Sequence, residues 1–158
     1  MTLSFRPLTD ADLPAAAALW HEGWIAGHAD FAPPDLIRLR TLESFHDRLS
    51  RHMAQTFIAA DADRLLGFVM LHDNEIDQFY VAQSARGTGT ASALMGEAEA
   101  RLRAAGHTAV WLACSVGNDR AARFYEKSGW RRGATKDMTF ETTAGPFPIT
   151  IWRYEKTL

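Results

Sequence analysis

The segment "ARGTGTA", residues 85–91, places an arginine and two glycines between an apolar run and the start of a helical pattern. Glycine lets the main chain approach a ligand closely. The free N–H groups and the positive dipole end of a helix N-terminus attract anions. This junction therefore predicts a site where the main chain binds a phosphate or a pyrophosphate.

Three interpretations of the glycine turn compete. A Walker phosphate-binding motif is excluded because no Lys-Ser or Lys-Thr pair follows Gly89. A dinucleotide-binding fingerprint fits incompletely: Gly87 and Gly89 match, but Ser92 occupies the third position and no acidic residue ends the next predicted strand. The third interpretation, a tight turn that only starts a helix, is not excluded by this segment alone.

Two carboxylates that precede the glycine turn are candidates for proton transfer. Glu75 and Asp77 are two residues apart in a predicted strand, so both side chains face the same side of the sheet. Partial burial would raise the pKa of either carboxyl and would make it a base able to accept a proton near neutral pH. The alternative is that both are solvated residues beside the turn "HDN" at 72–74.

The elements that must position these residues follow from the hydrophobic pattern. Apolar residues at helical spacing predict amphipathic helices, and short apolar runs between polar turns predict strands. The predicted strands are 3–9, 56–60, 65–71, 75–82, 109–116, 131–141 and 148–156, and the predicted helices are 10–26, 35–52, a segment from the glycine turn to Gly106, and 119–128. The prediction is one mixed α/β domain over residues 1–158, with a central seven-stranded sheet, about four helices and the order β-α-α-β-β-β-α-β-α-β-β.

Composition narrows the class of protein. The chain has 158 residues, of which 47% are hydrophobic, which suits one domain with a genuine core. A formal net charge of −2 argues against a nucleic-acid partner. Cys114 is the single cysteine, so no internal disulfide is possible and a cytoplasmic location is expected. The N-terminus lacks the pattern of a signal peptide, and no apolar stretch reaches the ~20 residues that span a bilayer, so no membrane partner is expected.

Three segments together resemble the GNAT superfamily of acyl-CoA-dependent N-acetyltransferases. "RGTGTA" (86–91) is similar to its Arg/Gln-x-x-Gly-x-Gly/Ala motif, and "IDQFYVA" (76–82) stands where the family has its fourth strand. "NDRAARFYEKSGW" (118–130) resembles the second signature, in which an Asn opens a short helix and a Phe-Tyr pair precedes a Gly-aromatic pair. The resemblance implies direct transfer of an acetyl group from acetyl-CoA to a primary amine in a ternary complex, without a metal.

The resemblance also implies roles for residues of this chain. The main chain of the turn would bind the pyrophosphate, the exposed edge of the fourth strand would bind pantetheine, and Asn118 would open the short helix of the site. The residues implied in cosubstrate binding are Phe79, Tyr80, Val81, Arg86, Gly87, Thr88, Gly89, Thr90, Ala91 and Asn118. Tyr125 would protonate the leaving thiolate, and the base would come from Glu75, the first choice, or Asp77, with a water relay also open.

The acceptor is left open by the sequence. In the family the first two helices and the last hairpin wall the acceptor site, which implies Glu22, Trp24 and Asp30 as substrate residues and a cationic amine as the acceptor. A polyamine, an amino acid, an aminoglycoside, another small amine and a protein terminus all remain possible, as do a longer acyl group and a non-catalytic acyl-CoA-binding module. A homodimer is expected because the C-terminal hairpin is rich in apolar residues, and because the family commonly dimerises.

Overall fold

The structure is a computed structural model that describes residues 2–158. Within them the strands are β1 (Leu3–Pro7), β2 (Thr56–Asp61), β3 (Arg64–His72), β4 (Glu75–Val81), β5 (Ala109–Ser115), β6 (Arg131–Thr142) and β7 (Gly145–Thr157). The α-helices are α1 (Leu13–His28), α2 (Pro34–Leu39), α3 (Leu42–Arg51), α4 (Thr90–Ala104) and α5 (Asp119–Lys127). None of these helices is long and apolar enough to cross a bilayer.

The strands form one sheet with the order β1-β2-β3-β4-β5-β7-β6. Every neighbouring pair is antiparallel except β4 and β5, which are parallel. Helices α1, α2 and α3 contribute to the core on one face of the sheet, and α4 and α5 contribute to the core on the other. The predicted mixed α/β fold with a seven-stranded sheet is confirmed.

The prediction of one helix over residues 35–52 is wrong, because the chain breaks it into α2 and α3. Arg40 leaves the helical region at φ −86° and ψ 67°, and Thr41 is extended. The Thr41 side chain then accepts a hydrogen bond from the Ser44 main-chain N–H at 3.1 Å, which caps the start of α3. Residues 2–158 therefore form five α-helices rather than about four, and Leu42 at the start of α3 is 50% exposed.

Helix α1 lies directly against β4. Trp20 is fully buried and its ring lies 4.8 Å from that of Phe45 and 5.3 Å from that of Phe68. At Gly23 a Cβ atom would stand 2.8 Å from Cδ1 of Tyr80, closer than real Cβ contacts. Glycine at this position therefore lets α1 approach the sheet and form a wall beside β4.

Strands β4 and β5 pair over only two positions. Glu75 pairs with Trp111 and Ile76 pairs with Leu112, after which the two strands separate. Asn74 holds the closed end, since its side-chain amide donates to the Ala109 carbonyl at 3.0 Å. The opening between β4 and β5 begins after the last pair, Ile76 with Leu112.

The edge of β4 that faces the opening is free of a partner strand. From Asp77 to Val81 the strand pairs with β3 on one side only. The register with β3 passes from Ile76 to Gln78 and skips Asp77, which is the extra residue of a β-bulge. A bulge bends the strand and redirects a side chain, so it sets the direction of β4 along the opening.

Candidate active site

Strands β4 and β5, where they separate, form the floor of a cleft of about 920 Å³. Its walls come from α1, the start of α4, the loop before α5, α5 itself and the β6–β7 hairpin. Residues that are distant in the sequence therefore meet at one site.

The predicted phosphate turn stands at one end of the cleft. Gly87 and Gly89 have φ angles of +75° and +83°, a conformation that favours glycine, and Gly89 is the N-cap of α4. A Cβ atom at either glycine would meet nothing within 4 Å. The Thr88 hydroxyl donates to the Ala85 carbonyl and lies 2.7 Å from the Thr90 hydroxyl, so both hydroxyls bond within the turn.

The cleft has basic side chains from the turn and from α5. Arg120, Arg123 and Lys127 of α5 line the cleft together with Arg86. Partial burial and then the positive charge of Arg120 lower the pKa of Arg86. Arg86 beside the N-terminus of α4, with Arg120 close enough to act on it, makes this end of the cleft suitable for an anion.

The middle of the cleft follows the free edge of β4. Phe79, Tyr80 and Val81 all line it. The Phe79 ring stacks on that of Phe124 at 5.5 Å, whereas the Tyr80 ring stacks on that of Phe68 at 5.8 Å on the opposite face of the sheet. Packing on both faces holds the strand, while its main-chain groups on the β5 side have no strand partner.

Helix α5 brings Tyr125 to the cleft. Asn118 caps this helix, since its side-chain oxygen accepts from the Ala121 N–H at 3.4 Å, and Asn118 also lines the cleft. Tyr125 is 9% exposed, and within residues 2–158 its hydroxyl has no hydrogen-bond partner. Burial, followed by the nearby Cys114, raises the pKa of Tyr125 well above its ordinary value. The phenol is therefore protonated at neutral pH.

The two carboxylates of β4 differ in position. Asp77 lines the cleft and Glu75 does not. Burial, followed by the charge of Asp77, raises the pKa of Glu75 to about 7 against the opposing effect of Arg153. Burial also raises the pKa of Asp77, and Arg48 is the group that most opposes this shift. Of the two carboxylates, the cleft therefore contains Asp77, whereas the sequence analysis put Glu75 first.

The end of the cleft formed by α1 is the one that the sequence predicts to hold the acceptor. Trp24 and Asp30 line it, whereas Glu22 is exposed and does not line it. The charge of Glu22 opposes the lowering of the Arg86 pKa. The Trp24 ring stacks on His28 at 4.6 Å. The His28 Nδ1–H donates to the Trp24 carbonyl at 2.9 Å, and burial lowers the pKa of His28 to about 4, so its imidazole is neutral.

Two arginines of this end were missed from the sequence. Arg40 and Arg48 are both buried and both line the cleft. Arg48 lies between Phe45 and Leu49 on the buried face of α3. The sequence signal for Arg48 was an arginine at a position where the helical spacing of apolar residues predicts a buried side chain. Arg40 gave no signal because it was assigned to the interior of a longer helix.

The chain matches the model of the Acetyltransferase (GNAT) family over residues 14–130. It belongs to this family. It is 31% identical over 144 residues to an uncharacterized N-acetyltransferase of Mycobacterium bovis, covering 82% of this chain and 88% of the relative. Its fold is similar to a GCN5-related N-acetyltransferase of Rhodopseudomonas palustris, with a TM-score of 0.77, 22% identity and coverage of 100% and 97%. It is also similar to the PaiA N-acetyltransferase of Thermoplasma acidophilum in complex with coenzyme A, with a TM-score of 0.71, 18% identity and full coverage of both chains.

The predicted family and the predicted enzyme class are thereby confirmed, and the protein is an acetyltransferase. The acetyltransferase brings most of the predicted site residues to the lining of one cleft and leaves four outside it. Those in the lining are Trp24, Asp30, Asp77, Phe79, Tyr80, Val81, Arg86, Gly87, Gly89, Ala91, Asn118 and Tyr125. Those outside it are Glu22, Glu75, Thr88 and Thr90.

The raised pKa of Glu75 makes the stability of the acetyltransferase depend on pH. The unfolded chain releases this proton near the ordinary value of 4.5, while the folded chain holds it to about 7, so ionisation destabilises the fold. We expect Glu75→Gln to gain stability relative to wild type as the pH rises from 4 to 8. The expected gain is about 1–2 kcal/mol, reduced by solvent screening of a partly exposed group.

Urea unfolding at several pH values measures this difference. Glu43→Gln, which removes an exposed carboxyl at the start of α3, is the matched control. If the wild-type and Glu75→Gln curves stayed parallel from pH 4 to pH 8, the assigned environment of Glu75 would be wrong.

Proposed function

We propose that this acetyltransferase transfers an acetyl group from acetyl-CoA to a primary amine by direct attack in a ternary complex. One observation carries the proposal: the glycine turn, the free edge of β4, Asp77 and Tyr125 all line the same cleft. An anion site, a main-chain edge, a base and an acid are the parts that this reaction needs.

The cleft fits the cosubstrate in its dimensions and in its donors. Open space above Gly87 and Gly89 leaves room for a pyrophosphate against the main-chain N–H groups at the start of α4. The basic residues of the turn and of α5 complement the phosphates. The unpaired edge from Phe79 to Val81 suits the amides of pantetheine, and an N–H of this edge would stabilise negative charge on the thioester oxygen.

Asp77 and Tyr125 supply the two proton transfers. A free alkyl amine, with a pKa of ~10.4 like that of lysine, is mostly protonated at neutral pH and must lose a proton before it attacks. Asp77 accepts that proton. The amine nitrogen then bonds to the carbonyl carbon, the carbon–sulfur bond breaks, and Tyr125 donates its proton to the leaving sulfur. The nitrogen releases its second proton by way of water to the Tyr125 phenolate, which restores the phenol. The products are an amide and the free thiol of coenzyme A.

A panel of amines tests the proposal. The measured quantity is thiol release from acetyl-CoA, with acetyl-CoA alone as the blank, and amide formation is verified by mass spectrometry. We expect stoichiometric amide and thiol with at least one amine. Thiol release that needs no amine, or no release with any amine while coenzyme A still binds, contradicts the proposal.

The placement of the cosubstrate predicts the effect of a side chain at Gly89. We expect Gly89→Val to abolish coenzyme A binding in calorimetry, because the added atoms would occupy open space that only a ligand fills. A residue other than glycine at this φ angle also costs about 1–2 kcal/mol of stability.

Gly106→Val is the matched control for that strain. Gly106 follows the other end of α4, has a φ of +93° and also has open space around it, but it does not line the cleft. Both variants should lose similar stability, and only Gly89→Val should lose binding. Coenzyme A affinity equal to wild type in Gly89→Val would exclude this site for the pyrophosphate.

Tyr125→Phe tests the acid. We expect kcat to fall by ~10²–10⁴-fold while coenzyme A affinity stays near that of wild type, because the hydroxyl acts mainly in the transition state and the ring is kept. Tyr154→Phe is the control, since the Tyr154 hydroxyl donates to Glu126 at 2.9 Å and Tyr154 does not line the cleft. Single-turnover rates exclude rate-limiting product release, and an unchanged rate would remove Tyr125 from the mechanism.

A homodimer and a cytoplasmic location remain predictions. The apolar residues of the hairpin that suggested a dimer are engaged within the chain: Ile151 is fully buried, and Phe147 and Ile149 pack against the core under α1. Sedimentation equilibrium at micromolar concentration distinguishes the predicted dimer from a 17.6 kDa monomer.

A further inference from the structure

Two buried arginines at the acceptor end have no part in the reaction described above. Arg40, at the break between α2 and α3, is 3% exposed, and Arg48 of α3 is 9% exposed. Both line the cleft. The Arg48 guanidinium lies 4.4 Å over the Trp20 ring, and that of Arg40 lies 5.9 Å from the Trp24 ring, so aromatic faces hold both in place.

The hydrogen-bonding capacity of these guanidinium groups is largely unused. Arg40 donates from Nη1 to the Glu141 carbonyl at 2.6 Å, but its Nε is buried without a partner. The Arg48 side chain makes no hydrogen bond or ion pair with any residue from 2 to 158. A buried cation without such partners is unfavourable unless a ligand or water supplies them.

The carboxylates near this pair do not neutralise it. Glu141 is already bonded to Arg51, and it lies 3.7 Å from His52. Asp77 is then the one remaining acidic side chain that acts on Arg48. Asp30 also lines the cleft, but it is not among the charges that act on Arg40 or Arg48. Around the pair, two guanidinium groups against one carboxylate leave a single positive charge, which matches a ligand with one negative charge.

We propose that the acceptor amine carries a carboxylate, as an α-amino acid does, and that Arg48 and Arg40 bind this carboxylate while the amine faces Asp77. The inference rests on the proposed function and names its substrate class. The planar fork of arginine matches the two oxygens of a carboxylate and binds them in a charge-assisted pair. It differs from the cationic acceptor expected from Glu22 and Asp30: Glu22 lies outside the cleft, and Asp30 lines it but does not act on the two arginines.

The other acceptors left open by the sequence fit this charge distribution poorly. Polyamines and aminoglycosides carry several positive charges and would face two buried cations. A protein N-terminus bears a neutral amide where the amino acid has its carboxylate. The apolar lining by Trp24, Phe140 and Ile149 suits an amino acid with an apolar side chain.

Matched acceptors test the proposal in the wild-type enzyme. L-Phenylalanine, L-leucine and L-methionine are each compared with the corresponding amide and with the amine that lacks the carboxyl group. The amide is less basic than the amino acid and the amine is more basic, so a preference over both is not an effect of basicity. We expect kcat/KM to be at least tenfold higher for the amino acid of at least one set.

Variants of Arg48 identify the group that reads the carboxylate. Arg48→Gln should remove the preference for the amino acid over its amide, and Arg48→Lys, which keeps the charge without the fork, should retain part of it. Coenzyme A affinity and circular dichroism verify that each variant is folded. The wild-type comparison decides the proposal even if a variant fails to fold.

The outcomes separate this inference from the function on which it depends. Equal or faster turnover of the amines and amides, or of spermidine, overturns the inference and leaves the acetyltransferase mechanism intact. An amino-acid preference that persists in folded Arg48→Gln assigns the carboxylate to another residue and overturns the role of Arg48. Absence of turnover with every acceptor, with coenzyme A still bound, overturns both proposals.

Discussion

The parallel pairing of β4 with β5 ends after two residues, and the candidate site depends on the separation of the two strands beyond that point. Each strand continues along its outer neighbour, β4 with β3 as far as Val81 and β5 with β7 as far as Ser115. The two halves of the sheet therefore diverge without loss of their outer hydrogen bonds. The main-chain groups left free between them need partners from water or from a ligand, since unpaired buried groups are costly. A ligand with amides along its length would fill that requirement.

Burial acts in one direction on the ionisable groups around this opening. It raises the pKa of Tyr125, Glu75 and Asp77 and lowers that of His28, so each shift favours the neutral form. In such surroundings a charge acts more strongly on its neighbours than it would in water. Arg40 and Arg48 remain cationic there even though burial lowers the pKa of both, and that of Arg40 to about 10. The charge of an acceptor is therefore a strong criterion for its selection.

The two ends of the cleft present different chemical groups, main-chain N–H groups at one end and side chains at the other. The end beside Gly87 and Gly89 offers main-chain N–H groups, whose presentation depends on glycine and on a helix start. The acceptor end offers side chains of α1, of α3 and of the break between α2 and α3, whose arrangement depends on how these helices pack on the sheet. The first kind of site leaves a short, local pattern in the sequence, and the second kind does not.

The sequence by itself determined the order of the strands along the chain, the glycine turn at 86–91 and the helix cap at Asn118, because each depends on neighbouring residues. It also placed Glu75 and Asp77 on one strand. Tertiary structure decided which of the two lines the cleft, because that depends on a bulge in the pairing with β3 and on where β5 diverges. It likewise decided that Thr41 begins a separate helix and that Arg40 and Arg48 converge with Trp24. Contacts between α1, α3 and the sheet join residues that are distant in sequence, and hydrophobic periodicity carries no information about which polar side chains those contacts bring together.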